Sequence, residues 1–120
     1  MTMECEMIRT VETENLAVNV KSGSLEVLAT PAMIAWMEEA SCLCLDLEEG
    51  FSSVGIEINA HHDAPSPLGA QIRITSKVTE QKGKIISFYT EAWMNQTRIG
   101  WAEHKRAVIH IQKFMNRLNG

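Results

Sequence analysis

The sequence has no run of about 18 or more uninterrupted apolar residues, which excludes a membrane-spanning helix. It has no C-x-x-C pair. Its three cysteines, Cys5, Cys42 and Cys44, are odd in number, and the last two lie too close to pair comfortably on one helix. Neither a metal centre nor a disulfide framework is indicated, and the reading is of reduced thiols in a cytoplasm. The opening segment MTMECEMIRT carries two glutamates and no apolar stretch, so no secretory signal is expected. Cations are few: eleven Lys and Arg against fifteen Asp and Glu give a net charge of −4. That excludes nucleic acid as the main partner, because phosphate neutralisation needs clustered Lys and Arg. No repeat, linker or low-complexity run interrupts the chain.

What remains is 120 residues of ordinary globular composition, 45% apolar and 22% charged, which excludes disorder for the bulk of the chain. Residues 1–120 are read as a single domain. A domain of this size buries about two-thirds of its unfolded surface, so a deep cleft would compete with its core. Building the site between subunits avoids that conflict.

A first strand is predicted at about Glu6 to Glu12, followed by an irregular stretch from Thr13 to Ser24 and a short apolar run, Leu25 to Leu28. Thr30-Pro31 then reads as a helix start, with Thr30 as N-cap and Pro31 in first helical position. The helix is predicted to run from Pro31 to about Glu49, with Gly50 as its stop. Met33, Met37, Ala40, Cys44 and Leu47 recur at helical spacing, and from Pro31 to Leu45 the only charges are Glu38 and Glu39. A helix this apolar is covered by protein. After Gly50 the period becomes two. Val54, Ile56, Ile58, Ala60 and His62 share one phase of a strand, with Gly55 in the other. Ile72, Ile74 and Val78 mark the next strand, Gln81-Lys82-Gly83-Lys84 a hairpin turn, and Lys84 to Met94 a strand apolar on both sides. A turn at Asn95-Gln96-Thr97 leads to a strand from Arg98 to His110. Ile111, Phe114, Met115 and Leu118 then fit a short amphipathic turn or helix. The order implies an α+β fold: one long central helix wrapped by a curved antiparallel sheet of about five strands.

Several polar residues fall where chemistry is possible. Glu38 sits in mid-helix, in phase with Ile34, Ser41 and Leu45, and reads equally well as a solvated residue or as a base at a cleft wall. His62 shares the apolar phase of its strand, where a satisfied core histidine is the commoner case and a proton carrier the sharper one. Thr30 is explained by capping alone, or supplies a hydroxyl beside a helix N-terminus. Gly55 marks a bulge or close backbone approach. Arg106 shares the phase of Gly100, Ala102, His104 and Val108, and by phase alone reads first as a surface ion pair and second as a substrate-binding group. Thr30 and Glu38 stand about 12 Å apart along one helix, so they cannot touch. Either a substrate spans them or two subunits share the site, and the dimer is preferred. Cys42 and Cys44 read as packing residues.

Three blocks carry a resemblance: Leu28-Ala29-Thr30-Pro31-Ala32-Met33-Ile34 with Met37-Glu38; Val54-Gly55 with His62-Asp63-Ala64-Pro65-Ser66-Pro67-Leu68-Gly69; and Ile99-Gly100 with His104-Lys105-Arg106. In this order, over about residues 8 to 110, they resemble the hotdog-fold acyl-CoA thioesterases, specifically the fluoroacetyl-CoA thioesterase-like group. The resemblance implies catalytic roles for Thr30, Glu38 and His62, and substrate-binding roles for Gly55 and Arg106. It implies no metal and no cofactor, an acyl-CoA or acyl-carrier thioester as substrate, and a homodimer, with pairing into tetramers left open. The sequence departs from that group at Glu103, where a threonine is usual, and in having no phenylalanine before Phe51. Selectivity for a fluorinated acyl group is therefore not implied. Non-catalytic binding of an acyl-CoA or small ligand stands as the alternative, since fold does not fix function. A hydratase or dehydratase comes third, because its Asp/His pair is not evident.

Overall fold

The computed structural model describes residues 3–120. Strand β1 (Glu4–Thr10) leads through a 3-10 turn (Thr13–Asn15) and a one-turn helix α1 (Ala17–Val20) to the main helix α2 (Thr30–Leu43). Four strands follow: β2 (Phe51–His62), β3 (Gln71–Lys82), β4 (Ile85–Met94) and β5 (Thr97–His110). Helix α3 (Ile111–Asn119) ends the chain. The strands form one antiparallel sheet in the order β1-β3-β4-β5-β2. The hairpins close at the expected turns, through Gly83 (φ +60°) and Asn95 (φ +55°), both in the left-handed region.

The sheet curls around α2. Its register shifts between Val78 and Glu80, Gly55 and Glu57, and Ala92 and Trp93. Each irregularity bends its strand and increases the local twist, which lets a flat ladder wrap a cylinder. Met33, Met37 and Ala40 of α2 then meet Ile72, Ile74, Ala92, Ile99 and Ala102 of the sheet in one buried cluster. Small residues beneath the helix set how closely it lies. A Cβ built on Gly100 would fall 2.6 Å from Met33 Sδ and 2.7 Å from the His61 carbonyl oxygen. Ser41 is fully buried, and its hydroxyl donates to the Met37 carbonyl (2.9 Å) and meets the Ser76 hydroxyl (3.0 Å).

Three local expectations are corrected. Thr30 is not the helix cap: Ala29 occupies that position in extended conformation and Thr30 is already helical, so its hydroxyl is free for other work. Helix α2 ends at Leu43, six residues before Glu49, because its ladder tightens there to i−3 bonds, Cys44 N–H to the Ser41 carbonyl and Leu45 N–H to the Cys42 carbonyl (both 3.1 Å), while Cys44 and Leu45 still pack against Val78, Ile86 and Phe88; Gly50 (φ +89°) instead turns the chain into β2. Cys42 is exposed while Cys44 is buried, so only the latter packs. Helix α3 is amphipathic as expected, yet Ile111, Met115 and Leu118 remain exposed.

Gly100→Ala has nowhere to place its methyl, because one neighbour is backbone. It should destabilise the fold by about 2–3 kcal/mol, within the usual cost of overpacking. Thermal unfolding would show this as a Tm lower by roughly 6–18 °C; an unchanged Tm would contradict the packing described.

Candidate functional site

Two groups of polar side chains flank α2, one at its N-terminus and one two turns along. The first is Thr30 with His62. Helix α2 is brought to the end of β2 by the loop between β2 and β3. Leu28 donates its backbone N–H to Ser66 (2.8 Å), Val27 bridges Pro67, and Asp63 and Ala64 both donate to the Ile99 carbonyl (2.7 and 3.1 Å). This places Thr30 Oγ1 2.7 Å from His62 Nδ1. The pair borders a cavity of about 280 Å³ with apolar walls from Val27, Leu28, Ala64 and Pro65. Burial pushes the His62 pKa below its ordinary 6.5, while the Ala64 backbone and the Asp63 carboxylate oppose the shift. The ring is therefore neutral at neutral pH, and a neutral ring can accept a proton. Its Nε2 is buried without a hydrogen-bond partner among the described residues.

The second group is Glu38, Gly55, Arg106, His104 and Ser53. It exists because of the bulge in β2. Register runs Gly55↔Arg106 and then Glu57↔Lys105, so Ile56 is the unpaired extra residue. The alternation predicted from Val54 to His62 is thereby broken. Ile56 is 51% exposed rather than inward, and Gly55 turns to the face that β5 gives to Arg106 and His104. Glycine is needed there: a Cβ at Gly55 would lie 2.7 Å from Glu38 Oε2 and 3.3 Å from Arg106 Nη1.

Arg106 is 8% exposed, which overturns its reading as a surface ion pair. Its Nε–H donates to Ser53 Oγ (2.8 Å) and Nη2 donates to the Ser53 carbonyl (3.1 Å). Its Nη1 donates to His104 Nε2 (3.2 Å) and to Glu38 Oε2 (3.2 Å). Glu38 keeps 40% of its side chain accessible, so its carboxylate is anchored at one oxygen and open on the other side. Glu39, one position round the helix, is exposed and pairs with Arg9 instead. The structure thus brings Thr30 to His62, and Glu38 to Gly55 and Arg106, but keeps the two groups apart, as the helix arithmetic required.

Ser53 was missed. Nothing in its surroundings singled it out, since the bulge that aims it inward has no sequence mark beyond Gly55. Cys44 is no nucleophile: burial, with Cys5 beside it, pushes its thiol up to about 12. Among the described residues no group of three or more His, Cys, Asp or Glu could hold a metal ion, and no helix is long and apolar enough to cross a membrane.

Comparison with known proteins gives a consistent result. Residues 11–112 match the model of the fluoroacetyl-CoA-specific thioesterase family. A fluoroacetyl-CoA thioesterase from Streptantibioticus cattleyicolor is 35% identical over 91 residues, 74% of this chain and 66% of the relative's own length. The crystal structure of a threonine-to-serine mutant of a fluoroacetyl-CoA thioesterase, in complex with acetyl-CoA, superposes with a TM-score of 0.92. It is 26% identical, covering 99% of this chain and 97% of that one. A hot-dog-like protein from Thermanaerovibrio acidaminovorans, 24% identical, superposes with a TM-score of 0.88 over 98% of this chain and 88% of its own, which is a likeness of fold. The fold is the hotdog fold.

Gly55→Ala should move the Glu38 carboxylate, the flexible neighbour, rather than the backbone. With displacements near 1 Å costing up to about 10²-fold in rate, any turnover that uses Glu38 should fall by roughly 10-fold or more, with Tm little changed. Full activity in this variant would show that the close approach is incidental.

Proposed function

The chain belongs to the fluoroacetyl-CoA-specific thioesterase family, and from that premise we propose that it hydrolyses a small or medium acyl-CoA thioester to the free acid and CoA. The observation that carries this reading is Thr30 held 2.7 Å from a neutral His62 beside an open, partly apolar cavity. The cavity suits the acyl chain, and the N-terminus of α2 beside it favours developing negative charge. In the reaction an oxygen, from water or from Thr30, adds to the thioester carbonyl. The C–S bond then breaks and the departing sulfur takes a proton as the CoA thiol; where the oxygen was that of Thr30, a water then hydrolyses the acyl-threonine ester, which frees the acid and restores the hydroxyl. Thr30 and Glu38 activate or supply that oxygen, while His62 orients the acyl group and carries the proton. The Gly55 backbone N–H holds the oxyanion, and Arg106 positions the substrate. No metal or cofactor takes part. Three free thiols support a reducing, cytoplasmic setting.

The protein acts as a homodimer in this reading, with its site at the interface. Strand β2 ends the sheet order, so one edge of its twelve residues has no neighbouring strand among the described residues. An open edge of that length is a template for a second copy. Antiparallel pairing about a two-fold axis near the middle of β2 sets His62 of one copy opposite the Phe51 end of the other. The Thr30–His62 pair of one copy then approaches the Glu38 group of its partner, which no path within one chain provides. The relatives' fluoroacetyl group is not carried over, and the acyl chain is proposed only as small or medium.

Purified protein should release free thiol from at least one of a panel of short, branched, aromatic and long acyl-CoAs. Glu38→Gln keeps an acceptor for Arg106 but loses the carboxylate, and should lower kcat by roughly 10²-fold while the protein stays folded. Turnover unchanged in that variant would remove Glu38 from the mechanism. Binding of acyl-CoA by thermal shift without thiol release would replace hydrolysis with the binding-module reading.

A further inference from the structure

We propose that His104 is a positioning residue for this site: its neutral ring fixes the Arg106 guanidinium, and through it the Glu38 carboxylate. The inference rests on the thioesterase reading and adds to it a residue that acts through another.

The hydrogen bonds leave one protonation state. A guanidinium has five N–H donors and no acceptor. Arg106 Nη1, 3.2 Å from His104 Nε2, must therefore donate, and Nε2 must carry a lone pair. His104 Nδ1 lies 2.8 Å from the Glu57 carbonyl oxygen, which can only accept, so Nδ1 carries the proton. The ring is the neutral Nδ1–H tautomer, locked from both sides. It is 2% exposed, and it tilts against Phe88 with ring centroids 6.0 Å apart.

The groups facing the ring are Glu38 from α2, the Glu57 carbonyl from β2, Phe88 from β4 and Arg106 from its own strand. Its Nε2 is 3.9 Å from Glu38 Oε2, too far for a hydrogen bond, so Glu38 is reached only through Arg106. Burial holds the ring's pKa below 6.5 and the Arg106 charge adds to that, while the Glu57 carbonyl and Glu38 oppose both. Protonation would place an N–H against an N–H and two cations in contact. The sign follows: the neutral ring is the working form, present above its folded pKa and lost as pH falls through it.

Four of the five guanidinium donors are assigned by these contacts. Ser53 holds the Nε and Nη2 side through two bonds, and His104 fixes the Nη1 side that faces Glu38. Without the ring's lone pair the planar fork can pivot about its two Ser53 bonds and carry Nη1 from the carboxylate, and the reacting geometry loosens although the fold persists.

Two variants and a pH series test this on the whole protein. His104→Leu should lower kcat by roughly 10-fold or more with KM changed much less, because the carboxylate acts in the chemical step. His104→Gln, which offers an amide oxygen to Arg106 and cannot ionise, should recover most of that kcat. Its acid limb of kcat against pH should also be shallower by one proton than the wild type's. An active wild type with His104→Leu unimpaired, or with His104→Gln showing the full wild-type acid limb, overturns the positioning role. If His104→Leu does not fold, the acid limb of His104→Gln decides alone. A wild type inactive on every acyl-CoA overturns the thioesterase reading, and the inference with it, and is told apart by the unmodified protein alone.

Discussion

A guanidinium taken out of water must be given acceptors, and much of this sheet is arranged to give them to Arg106. Its stem enters from β5, its fork closes on Ser53 of β2, and its last nitrogen reaches His104 and, across the layer, Glu38 of α2. The bulge at Ile56 is what makes this possible. Regular pairing would turn Gly55 outward and set a side chain where Glu38 now lies. With the extra residue expelled to solvent, a position lacking a Cβ faces the carboxylate. Losing one partner of a buried ion pair typically costs about 3–5 kcal/mol. Here the cost is smaller, because Glu38 is 40% exposed and Ser53 still satisfies half of the fork.

The same constraint explains the electrostatics. Burial is the first cause that holds both His62 and His104 neutral, and at His104 the Arg106 charge adds to it. What differs between the two groups is what each ring faces. One is hydrogen-bonded to a hydroxyl and can exchange a proton with it; the other is hydrogen-bonded to a guanidinium and a backbone carbonyl and can exchange none with either.

Much of the fold was legible because its signals are local. A period of two after Gly50, turns at Gly83 and Asn95, and an apolar helix after Thr30-Pro31 are each set by neighbours in sequence. The polar residues Thr30, Glu38, His62 and Arg106 were legible as candidates through their phase and the blocks that carry them. What failed was non-local. The burial of Arg106 depends on a register shift that the alternation of Val54, Ile56 and Ile58 conceals, since Ile56 fits the apolar phase and is nonetheless outside. Ser53 was hidden by the same shift. Helix α2 is predicted too long because Leu45 and Leu47 continue its period; the backbone tightens to i−3 bonds at Cys44 and Leu45 and leaves the helix, although both side chains still pack on the sheet. Thr30 looked like a cap because a cap is what threonine before proline usually is; one residue's difference leaves its hydroxyl to His62.

In the proposed dimer the two groups along α2, kept apart within a chain, meet across a two-fold axis. Mixing two separately inactive variants tests it most directly. Thr30→Ala and Glu38→Gln proteins would be unfolded together, refolded and assayed for thiol release. If sites are shared, each mixed dimer contains one intact site. Random reassortment then restores about a quarter of wild-type activity. If each chain supplies its whole site, no combination contains an intact one. Activity no greater than the sum of the two variants, with mixed dimers shown to be present, would contradict the account.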